Sequence, residues 1–131
     1  MAVGFSAAVA NAILDAYARS VAWTDPAAVW VQLHTADPGA AGTSAVAGNA
    51  DRKQATFGTP ASGGAISNTV AIAWSTSEVD TAEDYSHLSL WDASTSGNFL
   101  GSGVMTANAV QVGDTFTIPI GDLDITLNVA S

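Results

Sequence analysis

Before Pro26 the large apolar residues of this chain recur every fourth position, and after it they recur every second. That change of period narrows the fold more than any other feature. Phe5, Val9, Ile13 and Tyr17 are spaced four apart, so their side chains share one stripe of a helix. The spacing predicts a helix over Phe5–Val21 with Ser6 as N-cap, Leu14 and Val21 widening the stripe, and Asp15 with Arg19 forming an i,i+4 ion pair on the other side. Thr24, Asp25 and Pro26 are expected to end it, because proline lacks the N–H a helix needs and pushes the residue before it toward extended backbone.

From Ala28 the pattern alternates. Val29, Val31 and Leu33 share one parity and Trp30, Gln32 and His34 the other, up to the turn Asp37-Pro38-Gly39, so a strand over 28–35 with one buried and one polar face is predicted. Further strands are expected over 52–57, 66–75, 85–92, 99–106, 110–120 and 123–129. The run 85–92 carries large residues on both parities, as a central strand covered on both sides would. Pro119 places its stretch at a strand end or sheet edge, since it cannot donate to a ladder. The expected fold is therefore mainly β: an N-terminal helix (1–23) followed by an antiparallel β-sandwich (28–131), jelly-roll-like or Ig-like, of about seven strands in a single domain.

At 131 residues the chain has room for one such domain. Three basic residues against twelve acidic ones give a formal charge of -9, which excludes a surface built on phosphate neutralisation and argues against nucleic acid or an anionic membrane as partner. The absence of cysteine excludes disulfides and thiolate metal sites, so the core must hold without staples. No basic leader precedes an apolar run, and no uncharged stretch approaches the ~20 residues of a spanning helix. Only 11% of residues are charged while 48% are hydrophobic, a surface suited to burial against other subunits.

Residues able to carry chemistry are few. His34 and His87 lack the spacing of a zinc motif, and His34, next to the Asp-Pro-Gly turn, is expected to hydrogen-bond backbone there. Glu78, Asp80, Glu83 and Asp84 lack the ligand order of a calcium loop and are read as a solvated acidic link. Asp122 and Asp124 flank a turn with no cleft implied for acid/base work. Gly101-Ser102-Gly103 is not a nucleophile elbow, and Ser62-Gly63-Gly64 lacks the lysine of a phosphate cradle. An enzyme is not expected, and neither is a cofactor or metal. Trp74 and Trp91 are expected in the core. For Trp23 and Trp30 two readings stand: cover by a second layer or the helix, or service as exposed interface anchors.

A family resemblance adds to this. Asn11-Ala12-Ile13-Leu14-Asp15, Pro26-Ala27, the run Val29 to Gly39 with its string Leu-His-Thr-Ala-Asp-Pro-Gly, Gly42-Thr43 and Gly48 resemble a group of bacteriophage virion proteins with an N-terminal helix and an LHT-x-DPG signature. Arg52, Phe57, Ile66-Ser67-Asn68, Tyr85 to Trp91 and Gly113 to Leu127 are similar to that group as well. Its members are described as tail-fibre-like, minor tail or head-decoration proteins, so the resemblance implies a structural part of a tailed-phage particle with no catalytic residues to carry over. The sequence shows no shaft, coiled coil or tip after its last strand. The resulting expectation is a capsid decoration (minor capsid) protein on the outer surface of the head, present in the host cytoplasm during assembly, with the major capsid protein as partner and self-association, a trimer among the options. A tail, baseplate or tail-fibre-like protein is the alternative, and a carbohydrate-binding β-sandwich module ranks below it. Phe5, Val9, Ile13, Tyr17, Trp23 and Trp30 are the expected interface residues.

Overall fold

The structure, a computed structural model, describes residues 3–130. Met1, Ala2 and Ser131, which the predicted spans 1–23 and 28–131 include, lie outside the described residues. The protein is mainly β, with one short N-terminal helix and antiparallel pairing throughout. The described elements are β1 (Gly4–Phe5), α1 (Ala7–Arg19), β2 (Val29–His34), β3 (Lys53–Ala55), β4 (Ala65–Ser67), β5 (Ile72–Trp74), β6 (Glu83–Trp91), β7 (Phe99–Val110), β8 (Phe116–Ile118) and β9 (Asp124–Thr126). One sheet has the order β1-β7-β6-β2-β3, while β4 pairs with β9 and β5 with β8.

The helix starts as expected and stops early. Ser6 Oγ accepts from the Val9 N–H at 3.2 Å, the N-cap bond that satisfies an orphan donor of the first turn. The C-cap, however, is Ser20 in a left-handed conformation, its N–H donating to Asp15 O, so α1 ends well before Pro26 and no proline is needed to stop it. The Asp15–Arg19 pair forms at 3.0 Å on the exposed side.

Nine described strands replace the expected seven for two reasons. Gly4 and Phe5 pair with Ser102 and Gly101, adding a two-residue strand too short to read from alternation. The strand predicted over 66–75 is also broken at Asn68. This side chain is buried, donates from Nδ2 to Val70 O and Pro119 O, and accepts at Oδ1 from the N–H groups of Gly121 and Leu123. It therefore holds β4–β9 and β5–β8 as two arms of one bent ribbon, with Pro119 at the end of β8. Val70 and Ile120, placed on the buried parity by alternation, are exposed beside that corner, as are Val112, Leu127 and Val129 at strand ends.

The core draws on both the sheet and the ribbon: Val31 and Leu33 of β2, Leu88 and Tyr85 of β6, Ile72 and Trp74 of β5, Phe116 and Ile118 of β8. Phe116 sits at its centre, 5.8 Å from Trp74 and edge-on to Tyr85 at 5.1 Å, spacings at which aromatic pairs attract beyond their buried area. The Trp74 indole N–H, which would otherwise be stranded, reaches Asp51 O at 3.0 Å.

The second face of β2 corrects the sequence expectation. Gln32 and His34 are buried, not polar surface, because β2 lies between β6 and β3 and the loop 36–50 folds back along it. Gln32 Nε2 donates to Ala50 O, and His34 Nδ1 meets Ser44 O at 2.8 Å. A carbonyl can only accept, so Nδ1 carries the proton and Nε2 accepts from Ser89 Oγ at 2.7 Å, while Trp91 Nε1 donates to the same hydroxyl. The expected backbone partner of His34 thus exists, in the returning loop and not in the turn itself. Burial holds the His34 imidazole below its ordinary value, and every ring nitrogen is satisfied in the neutral form.

Candidate functional site

Six N-terminal residues were expected at an interface, and the fold gathers four of them. Phe5 of β1, Val9 and Ile13 of α1, and Trp23 from the link after the helix line one groove of about 260 Å3. Pro26, Val29, Leu90, Leu100 and Ile125 complete it, so no polar side chain lines it. Two other expected residues fall elsewhere. Tyr17 is 89% exposed on the last turns of α1, and Trp30 lies half-buried on the face of β2 opposite Val29, in register with Trp91.

Alternation and helix geometry explain why the groove exists. Val29 of β2 and Leu90 of β6 point to the same face of the sheet, since Val31, two residues on from Val29, pairs with Leu90. Gly101 sits beside Leu90 in β7 and offers no side chain to fill the space. It also lets β1 approach, because a Cβ there would lie 2.7 Å from Gly4 O. The Ser6 N–H then donates to Leu100 O at 2.8 Å, and this fixes where the helix leaves the sheet.

The helix is weakly held beyond that point. Of its residues only Val9 is buried, at 8%, while Leu14 is 61% exposed. At about 100° per residue, Val9, Ile13, Tyr17 and Leu14 step round an apolar arc of about 140°, and the body covers only the Val9 and Ile13 end of it. A helix of this length has marginal stability alone in water.

A second, larger cleft of about 730 Å3 runs between β7 and the β8–β9 segment. It shares Phe5, Leu90 and Ile125 with the groove, so the two adjoin. Asp122 and Asp124 line it, which places the two carboxylates at a cleft that the sequence did not imply. Asp124 accepts a hydrogen bond from Ser67 Oγ.

The remaining candidate groups are tied to local structure. Glu78 takes hydrogen bonds from Lys53 Nζ and from the Ser75 N–H, which together hold its carboxyl at about 2. Glu83 accepts from the Gly48 N–H, and Asp92 from the Asn98 backbone and side chain, which lowers its pKa. Arg52 lies 4.0 Å over the Trp91 ring and donates to Ala93 O and Ser96 O, clamping the β6–β7 turn by a cation–π contact and two hydrogen bonds. Sequence reasoning missed this clamp and the His34–Ser89–Trp91 chain, whose members lie far apart along the sequence.

An antiparallel β body bearing an apolar N-terminal groove on a segment of no net charge suits a subunit that assembles, and comparison with known families gives the class: a phage virion structural protein of the fibre type. Residues 4–126, from β1 to β9, match the podophage GP4 fiber I protein gp80 family, and the chain belongs to it. The match takes in every groove residue from Phe5 to Ile125. No curated protein matches the chain significantly.

Proposed function

We propose that this chain is a structural subunit of a phage tail-fibre assembly, held to its neighbours through the apolar groove and the exposed arc of α1. The match of residues 4–126 to a fiber protein family carries this reading. It favours the tail-fibre-like alternative over the capsid decoration role expected from sequence, and with it a virion location away from the outer capsid surface. The β body, read as a sandwich of one large and one small layer, serves as a rigid support that fixes the groove walls. No catalytic step, cofactor or metal belongs to this role.

Co-sedimentation of the purified protein with purified tails, and separately with empty expanded heads, tests it. Binding to tails or fibre-bearing particles is expected. Saturable binding to heads in a copy number matching the shell lattice would overturn it in favour of decoration.

A further inference from the structure

We propose that the occupant of the apolar groove is helix α1 of a second copy of this chain, the two helices running antiparallel about a two-fold axis. The inference rests on the assembly reading above and names the partner. Three observations carry it.

The first is charge. Asp15 and Arg19 are the only charged side chains before Asp25, and they pair with each other. The whole formal side-chain charge of -9 therefore lies from Asp25 onward. Two copies meeting through most of their surface would bring acidic faces together, whereas the N-terminal segment brings two neutral ones.

The second is complementarity of the molecule with itself. The groove takes Val9 and the central Ile13 of α1, and the uncovered apolar side chains, Leu14 and Tyr17, lie from the centre toward its C-terminal end. An antiparallel pair sets the second half of each helix against the first half of the other, so each copy's exposed row meets the other's groove. The same patch is used on both copies, as a two-fold contact requires. The Asp15–Arg19 pair lies on the far side of the helix and stays in water.

The third is the helix itself. With one buried side chain along 13 residues, about 20 Å of helix, α1 lacks the packing that ordinarily stabilises a helix this short. A partner helix supplies it, and the alanines at 10 and 18 leave room for close approach.

Sedimentation velocity of the full chain from about 1 to about 100 μM, with variants L14D, Y17D and V112D, tests the proposal. All three positions are exposed and outside the core, so each variant is expected to keep the wild-type thermal transition of the β body, whether or not α1 holds its helix without a partner. Reversible association is expected, weakened at least about tenfold by L14D and by Y17D and unchanged by V112D. A chain that stays monomeric throughout, or that associates equally well in both helix variants, would overturn it. Tail co-sedimentation separates this from the assembly reading. A monomer that binds tails through Leu14 overturns the second copy as occupant and keeps the fibre role, while a dimer that binds no tails does the reverse.

Discussion

His34 shows how one residue ties acid sensitivity to the fold. Unfolded, it takes up a proton near 6.5; folded, it does so only at lower pH because burial opposes the charge. Between those values the unfolded state binds more protons, so stability is full above about pH 6.5 and falls as pH drops below it. Glu78 adds a separate loss. Its carboxyl is held at about 2 against an ordinary 4.5, so its contribution is present above 4.5 and is lost between 4.5 and about 2. Thermal melts from pH 8 to pH 3 should therefore show two declines, and His34→Gln should lower the melting temperature at pH 7 while flattening the upper one. Retention of that decline in the variant would assign it elsewhere. The burial of His34 was not legible in the sequence: alternation put it opposite Val31 and Leu33, and nothing local reveals that the loop 36–50 closes over that side. The Asp-Pro-Gly turn was legible because its physics is local: Asp37 Oδ1 accepts the Gly39 N–H, and Gly39 takes a φ of +77°.

Among the elements, the bent ribbon and the β1 attachment are the points where one substitution should have the largest effect. Asn68→Ala removes the side-chain partners of Leu123 N–H and Pro119 C=O at a buried corner. It should cost about 3 kcal/mol, the range for stranded buried polar groups, seen as a melting temperature lower by roughly 10 °C. A change under a few degrees would mean that water replaces the amide. Gly101→Ala forces a Cβ against Gly4 O and should detach β1 with α1 while leaving the core intact. Hydrogen exchange reads this directly: the Ser6 N–H, bonded to Leu100 O, should lose protection while amides of β2 and β6 keep theirs. Strand β2 was readable from its alternation and β6 from its run of large residues, while β7 was legible only from 99 to 106: it continues to Val110, which alternation assigns to the next strand. The corner was hidden because asparagine falls inside an unbroken alternation, and its partners stand more than 50 residues away. The helix N-terminus was readable from Ser6, but its C-terminus was not, since a left-handed serine gives no compositional sign.

At the scale of the whole molecule, a neutral apolar N-terminal surface is joined to a body that carries the net negative charge. Association through the neutral surface gathers acidic bodies, whose repulsion salt screens. Self-association should therefore tighten as sodium chloride is raised from low to physiological strength, and sedimentation at fixed protein concentration checks it; weakening with salt would point to ion pairs at the contact. Four of the six candidates meet in one groove because Phe5, Val9 and Ile13 follow the helix period and Trp23 follows closely after. Trp30, which alternation already set opposite Val29, lies on the other face of β2 and outside the groove. The sequence left Ile125 unnoticed, since only the tertiary fold brings β9 to the helix. That last contact orders events in time. A ribosome delivers Phe5 and the helix first and Ile125 some 120 residues later, on the order of ten seconds at ordinary elongation rates. The groove lacks a wall until then, so in the assembly proposed above a nascent or truncated chain offers neighbours an unfinished seat and a chain made through β9 a complete one.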